Sequence, residues 1–263
     1  MTTPSALASD SLCGIVAFLS VVALLHVFGI DILNDKANAR MRDMLVASTA
    51  YFSTIFFASR QLECFSRPKA RAWIITVACA LPVGITSSIY TFIHARNGYL
   101  LDMKTFIYGE PSNYSTGVVL SFLAFLATDT AFGMTSYRAQ FDPVAGWFHH
   151  IAYSIFFASA LRYKFANGLA SAMPLELTTI VLGLGHIWPQ LRADLLFGVS
   201  FILLRIIYHG FMTVAYFTMR ADVTPASNVW SVMLLAFGLH LHWFVGWLKQ
   251  QRRLVRAKSK QRA

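Results

Sequence analysis

Long apolar stretches with almost no charge constrain this sequence more than any other feature. Seven of them approach or exceed the roughly 20 residues that an α-helix needs to cross a bilayer. They lie at 12–33, 73–93, 116–135, 147–165, 172–189, 195–218 and 229–248. An eighth, 44–59, is uncharged but has only 16 residues, so it spans, re-enters or lies on the membrane. The pattern predicts an all-α, polytopic transmembrane protein with seven spans, or eight if 44–59 also crosses.

The amino-acid composition excludes a soluble globular domain and a disulfide-stabilised extracellular protein. The 263 residues are 56% hydrophobic and only 13% charged, and the mean hydropathy is +0.55. A soluble domain carries about twice that share of charged residues. The three cysteines have no CxxC spacing, which excludes a disulfide scaffold. The first span has no basic segment before it and no cleavage site after it, so we interpret it as retained.

The excess of basic residues indicates orientation rather than nucleic-acid binding. The net charge is +10, and seven of the Lys and Arg residues lie within 249–263. This segment is predicted to be a cytoplasmic tail beside an anionic leaflet. Seven more basic residues lie in 34–72, so the positive-inside rule favours seven spans with a cytoplasmic C-terminus. The segment 94–115 is then lumenal, and its Asn113-Tyr114-Ser115 sequon makes Asn113 a glycosylation candidate.

Polar residues inside the spans are the candidate functional groups, because an ionisable side chain in hydrocarbon usually faces the bundle interior. At a rise of about 1.5 Å per residue, Asp129 lies about 9 Å deep and the pair His149-His150 about 5 Å deep, from the same side. These three side chains are expected to meet. Neighbouring residues on a helix point about 100° apart, so only one histidine faces a given cavity squarely, and the other orients it or accepts a hydrogen bond from a neighbouring helix.

Glu176 and Arg205 form the second predicted pair. By the same depth arithmetic they lie within roughly 5 Å of each other along the membrane normal. A charge without a partner at that level is costly, so the sequence predicts a Glu176–Arg205 ion pair. The pair either fixes the helix register or places Glu176 against a ligand headgroup with Arg205 as its counter-ion.

The remaining histidines are weaker candidates. His186, His209 and the pair His240 and His242 are interpreted as interfacial or helix–helix hydrogen-bonding residues. The His149-His150 pair stands alone, without the HxxHH boxes of membrane di-iron enzymes. The sequence contains no P-loop and no GxSxG elbow. No metal and no cofactor are therefore expected, and imidazole with carboxylate favours general-base or nucleophilic acyl transfer.

Several runs together resemble the TLC domain of ceramide-synthase-like polytopic lipid proteins: FLATDTAFGM, GWFHHIAYSIFF, NGLASAMPLELTTIVLG and FILLRIIYHG. The matching features are Asp129, the His149-His150 pair, an expected turn at Asn167-Gly168, Glu176 and Arg205. The basic entry RPKARAW begins the resemblance, which covers about 67–248. The resemblance divides the chain into N-terminal span or spans with a connector (1–66), a TLC-like domain (67–248) and the basic tail (249–263).

The resemblance implies a six-helix membrane barrel around a lipid cavity, with one or two further N-terminal spans. It also implies residence in the endoplasmic reticulum or the plasma membrane, with the endoplasmic reticulum favoured. The sequence departs from ceramide synthases, because their D-x-x-D motif is replaced by PLELTTIVLG, with Glu176 as its only acid. It is closer to the small TLC-domain proteins linked to phospholipid composition. The tail KSKQRA lacks dilysine spacing.

Two functions agree with these residues and with the resemblance. In the first, the protein transfers an acyl group from acyl-CoA, as co-substrate, to a lipid amine or hydroxyl. His149, His150 and Asp129 are then the catalytic residues, and Glu176 and Arg205 bind the substrate. In the second, the protein binds or transports lipid without bond chemistry. Membrane lipids are the expected partners in both, and nucleic acid is not expected.

Overall fold

A computed structural model describes residues 4–224 and 229–262, with the side chains of 12–144, 146–224, 229–254 and 256. The described residues form helices joined by short turns. The helices are α1 (Pro4–Val27), α2 (Ala39–Ser59), α3 (Pro68–Arg96), α4 (Met103–Tyr108), α5 (Asn113–Ser136), α6 (His149–Arg162), α7 (Ala166–Ala172), α8 (Glu176–Ile187), α9 (Asp194–Ser200), α10 (His209–Thr218) and α11 (Trp230–Arg262). Two π-helical segments, Pro143–Phe148 and Phe201–Tyr208, lead into α6 and α10.

Among the described residues, five helical segments are long and apolar enough to cross a membrane. They are Pro68–Arg96, Asn113–Ser136, Ala166–Ile187, Asp194–Thr218 and Trp230–Leu254. Each contains or overlaps one of the predicted spans, so an apolar helix of membrane-spanning length is confirmed at these five places. The chain is therefore helical and has the features of a multi-pass membrane protein.

The other predicted spans have a different form. The stretch predicted at 12–33 is helical only to Val27, and its helical part belongs to α1 (Pro4–Val27). Gly29, with φ of +73°, turns the chain after it. The stretch predicted at 147–165 is divided between the π-helical segment and the 14-residue α6. The candidate 44–59 lies within α2, which begins with the charged residues of 39–43. A count of seven or eight spans, and the six-helix barrel, stay predictions.

The chain divides into two compact units, Met1–Arg192 and Ala193–Ala263. The boundary falls inside the segment 67–248 that the sequence predicts as one domain, and the predicted domain bounds stay predictions. In the first unit α5 is the central helix, because it packs against α1, α2, α3 and α6. Most residues in its apolar stretch are buried. The hydrophobic face of α8 packs on α3.

Helix α3 shows how local sequence positions these elements. Pro68 stands at its first turn, where the missing N–H has no intrahelical partner to lose. The helix ends before Gly98, whose φ of +89° suits a residue without a side chain. Between them, Pro82 removes one N–H from the helical ladder. Gly84 allows the backbone of α8 to approach closely, because a Cβ there would lie 3.2 Å from the backbone nitrogen of Leu177.

The second unit contains α9, the π-helical segment Phe201–Tyr208, α10 and α11. The first three form one continuous helical segment, which packs against α11. Gly198 lies against the indole of Trp247, in a space that has no room for a Cβ atom. Helix α11 continues through the basic tail to Arg262, although the tail side chains from 257 onward lie outside the described residues.

Candidate functional site

Asp129 and His150 form the centre of the candidate site. Asp129 projects from α5 and His150 from the first turn of α6, and Nε2 of the imidazole lies 3.6 Å from Oδ2 of the carboxylate. Both residues are buried, with exposed fractions of 5% and 7%. The structure thus brings together the carboxylate and one histidine of the pair, as the sequence predicts. Their chemical roles stay predictions.

Tyr137, which sequence reasoning missed, holds the other side of Asp129. Its hydroxyl donates to Oδ1 of the carboxylate, and it also lies 3.1 Å from the carbonyl oxygen of Asp129. Burial, followed by the nearby Asp129, raises the pKa of Tyr137 well above its ordinary value, so the phenol keeps its proton and acts as a donor. Eight residues separate Tyr137 from Asp129, and Tyr137 lies just beyond the end of α5. Helical periodicity therefore gives no signal for the contact.

Thr130 fixes the tautomer of His150. The Thr130 hydroxyl donates its one proton to the carbonyl oxygen of Leu126 at 2.7 Å, while its oxygen lies 3.0 Å from Nδ1 of His150. Since that oxygen accepts, Nδ1 carries the proton and the neutral ring presents a lone pair at Nε2. A lone pair facing a carboxylate oxygen is repulsive, so the arrangement favours a further proton between Nε2 and Oδ2. The Asp129–His150 pair then carries no net charge, as a buried site requires.

An aromatic shell surrounds His150. The ring centroids of Phe125 and Phe141 lie 5.8 Å and 5.2 Å from the imidazole centroid, both edge to face. Two glycines make room for Phe141: a Cβ at Gly133 would lie 2.7 Å from Cδ2 of its ring, and one at Gly146 would lie 2.8 Å from Cδ1. The absence of side chains at these two positions therefore lets the Phe141 ring cover the buried histidine.

His149 faces a different direction from His150. It is only partly buried, and its ring centroid lies 4.2 Å from that of Tyr153, one turn further along α6. The two histidine rings are 5.7 Å apart. The helical geometry thus turns the two rings apart, and His150 is the histidine that lies against the carboxylate. His150 is the internally bonded member of the pair, and His149 is the more accessible one.

The structure places Glu176 and Arg205 in different units. Glu176 is the first residue of α8 and is partly buried. Arg205 lies in the π-helical segment Phe201–Tyr208, where its Nη1 donates to Nε2 of His240 at 2.8 Å. The contact of Arg205 with a histidine of its own unit was missed by sequence reasoning. The predicted Glu176–Arg205 ion pair stays a prediction.

His209 and His240 join α10 to α11, which confirms their interpretation as helix–helix hydrogen-bonding residues. Their Nδ1 atoms lie 2.7 Å apart, and both side chains are buried. Because the Arg205 guanidinium only donates, Nε2 of His240 accepts and its Nδ1–H donates to Nδ1 of His209. His242 is exposed. In the first unit, His186 packs beside the indole of Trp73, with 4.6 Å between ring centroids.

The predicted turn at Asn167-Gly168 is wrong. Both residues lie inside α7, and the left-handed residue that turns the chain before it is Lys164, with φ of +58°. Asn167 is buried, and its side-chain amide bonds to backbone groups at the end of α4 and just after it. Nδ2 donates to the carbonyl oxygens of Phe106 at 3.1 Å and Glu110 at 3.2 Å.

The same amide contacts the predicted sequon. Oδ1 of Asn167 accepts from the hydroxyl of Ser115 at 2.7 Å and from the backbone N–H of Ser112 at 3.2 Å. Ser115 is fully buried, whereas Asn113, at the start of α5, is exposed. Glycosylation of Asn113 stays a prediction, although its side chain is accessible in the folded protein.

The fold and site define a helical protein of membrane-length apolar segments with a buried carboxylate–imidazole centre. Among the described residues, no group of three or more His, Cys, Asp or Glu is placed to hold a metal ion. No protein-family model, curated protein or solved structure matches this chain.

Proposed function

We propose that this chain is an integral membrane protein of lipid metabolism that transfers an acyl group from acyl-CoA to a lipid amine or hydroxyl. One observation carries the assignment of roles: both ring nitrogens of His150 face protein groups, Thr130 and Asp129, while His149 beside it is partly exposed. His149 is therefore the general base that meets the acceptor. His150, Asp129 and Tyr137 position it.

The reaction balances on these groups. His149 takes the proton from the acceptor N–H or O–H as that atom attacks the thioester carbonyl. A C–N or C–O bond forms, the C–S bond breaks, and the leaving thiolate receives the proton from the imidazolium. A positioned general base contributes about 10²–10⁴ in rate. The rigid, uncharged Asp129–His150 pair supports this role, because it fixes the start of α6 without placing a competing charge beside His149.

The further assignments in this proposal come from the resemblance to TLC domains and from the charge pattern. Glu176 and Arg205 bind the polar headgroup of the acceptor. The protein resides in the endoplasmic reticulum, with its basic C-terminus in the cytoplasm, where acyl-CoA is supplied. Membrane lipids are its partners.

A second candidate is a lipid-binding or lipid-transporting protein without bond chemistry. One observation favours it: Asp129, His150 and Tyr137 are all buried, and both His150 and Tyr137 lie against the Asp129 carboxylate, as expected of a cluster that stabilises a helix bundle. The two functions differ in what His149 does, because only the acyltransferase needs its imidazole to exchange a proton.

Turnover by single-histidine variants tests the proposal. Protein purified with native lipid is supplied with labelled acyl-CoA and a mixture of lipid amines and lysolipids, and products are identified by mass spectrometry. We expect His149→Ala to lose at least about 10² in rate with an unchanged melting temperature. His150→Ala should lose both rate and stability, and His242→Ala, at an exposed histidine of α11, should lose neither. A wild-type protein that forms no product, or a fully active His149→Ala, would overturn acyl transfer at this site.

A further inference from the structure

A groove between α2, α3 and α5 is independent of the His149-His150 centre. Its volume is about 530 Å³, within the range of small-molecule sites. It extends along α5 from Asn113 to Ser121, a rise of about 12 Å at 1.5 Å per residue. Most of its wall is apolar, with Phe52, Val83 and Val118 among the lining residues. All three helices belong to the first unit.

Two features of the sequence create this space. Pro82 has no N–H to offer the carbonyl oxygen of Ala78, and the hydroxyl of Tyr51 on α2 donates to that oxygen at 3.3 Å instead. In a bilayer such a replacement bond is needed, because an unsatisfied carbonyl costs several kcal/mol. Gly117 leaves the α5 wall without a side chain, and an added Cβ there would come no closer than 3.8 Å to Met44. The groove is thus a stable opening in the helix packing.

The polar groups of the groove are uncharged. Ser48 and Ser121 share a hydrogen bond of 2.9 Å at the end of the groove formed by Ser121. At the opposite end, formed by Asn113, the hydroxyl of Tyr114 lies 2.9 Å from that of Thr86. The exposed amide of Asn113 lies at this end too. No carboxylate, ammonium, guanidinium or imidazole group is among the residues described as lining it. A charged ligand group would have no counter-charge in the wall.

The surroundings of the opening indicate where a ligand comes from. Three of the lining residues, Tyr51, Pro82 and Thr86, are exposed, and the exposed fraction of Tyr51 is 45%. Pro82 and Thr86 belong to an apolar helix long enough to cross a membrane, so acyl chains of the bilayer cover the opening. The molecules that reach the opening are therefore lipids.

We propose that this groove binds one uncharged lipid alcohol, with its chain along α5 toward Ser121 and its hydroxyl beside Asn113 and Thr86. The amide of Asn113 both donates and accepts, so it satisfies a hydroxyl group completely. An apolar chain matches the aromatic and aliphatic wall. This site is independent of the acyl-transfer proposal, since it contains neither His149 nor Asp129.

Photolabelling tests the site. The full-length protein, produced in a host that does not glycosylate Asn113, is placed in nanodiscs with a long-chain fatty alcohol that carries a diazirine near the chain end. The same chain as a fatty acid at pH 8, and phosphatidylcholine, serve as competitors beside unlabelled alcohol. We expect labelled residues within 47–52, 79–86 or 117–121, and competition by the alcohol at least tenfold stronger than by the anionic fatty acid.

Matched variants decide whether labelling reports this groove. Gly117→Leu places a side chain in the groove and should reduce labelling at least fivefold. Gly238→Leu, on α11, makes the same change where nothing lies within 4 Å of the added Cβ, and should leave labelling unchanged. Asn113→Leu, at an exposed position, should remove the preference for alcohol while labelling persists.

Equal labelling of wild type and a folded Gly117→Leu, or equal competition by the fatty acid, would overturn the proposal. If Gly117→Leu does not fold, an unchanged alcohol preference in Asn113→Leu overturns it. Turnover of the His149→Ala variant is measured separately, so loss of acyl transfer with intact labelling contradicts only the catalytic proposal.

Discussion

Nε2 of His150 lies 3.6 Å from Oδ2 of Asp129 across the α5–α6 interface, with both side chains buried. Thr130 assigns the His150 proton to Nδ1, so the pair is neutral only if it holds a second proton between Nε2 and Oδ2. The two residues therefore form one close, uncharged pair, and Tyr137 donates to the other oxygen of the carboxylate.

Substitution of Asp129 distinguishes hydrogen bonding from charge. In Asp129→Asn, the amide N–H donates to Nε2 of His150 and the amide oxygen accepts from Tyr137. We expect its free energy of unfolding to stay within about 1 kcal/mol of wild type, because the wild-type pair is already neutral. Asp129→Leu leaves the imidazole and the phenol without this partner, at a cost of about 1–3 kcal/mol for each group.

Unfolding titrations in mixed micelles measure both variants. The control is Asp43→Asn, which makes the same change at an exposed residue of α2. It removes an exposed ion pair with Arg42, so stability should fall by no more than about 0.5 kcal/mol. An Asp129→Asn variant as unstable as Asp129→Leu would show that Asp129 is a buried carboxylate anion and that the shared proton is absent.

The fit of Phe141 between two glycines gives a second prediction. Gly133→Ala and Gly146→Ala each place a Cβ within 2.8 Å of the ring, so each should destabilise the protein by about 1–3 kcal/mol, as overpacking does. Phe141→Ala removes the ring atoms that clash. The double variants Gly133→Ala/Phe141→Ala and Gly146→Ala/Phe141→Ala should be more stable than the sum of their single changes predicts.

A double-mutant cycle of melting temperatures in detergent measures this coupling. Gly238→Ala, where the added Cβ meets nothing within 4 Å, controls for the effect of alanine in an exposed helix. Strictly additive effects of Gly133→Ala and Phe141→Ala would contradict the direct contact between them.

Sequence reasoning finds the parts of this fold that depend on local pattern. Five spans follow from hydropathy alone. The meeting of Asp129 with one histidine follows from depth along two consecutive helices, since sequence separation sets depth. The same arithmetic does not give lateral position, so it places Glu176 and Arg205 at one level without identifying their neighbours. It also gives no signal for the hydrogen bond of Arg205 to His240, which is 35 residues away.

The missed contacts depend on where the chain turns. Tyr137 reaches back to Asp129 only because the residues after α5 leave the helical path. Asn167 precedes a glycine, a pair typical of turns, yet it lies in α7, where its side-chain amide donates to the carbonyl oxygens of Phe106 in α4 and of Glu110 just after it. In both cases tertiary hydrogen bonds override the local propensity, and a single sequence does not display them.

The hydrogen bonds of Asn167 predict a strong effect of a small change. Asn167→Asp replaces the Nδ2 donor with an oxygen that faces the carbonyl oxygens of Phe106 and Glu110. We expect destabilisation on the order of 3 kcal/mol, because two bonds become repulsive contacts. Hydrogen–deuterium exchange should increase across 99–112. Asn97→Asp, at an exposed residue, is the matched control, and equal stability of the two variants would contradict this role of Asn167.

The two histidines of α11, His240 and His242, differ in burial and in hydrogen bonding. His240 is 3% exposed and accepts from Arg205 while donating to His209, whereas His242, two residues on, is exposed. His240→Leu removes both bonds and should destabilise α10 and α11 by about 1–3 kcal/mol for each group left behind. His242→Leu should not lower stability by more than about 0.5 kcal/mol, as is usual at a surface. Thermal unfolding in detergent measures the difference. If the two variants have the same melting temperature, the Arg205–His240–His209 hydrogen bonds do not stabilise the second unit, and its helices are held by apolar packing alone.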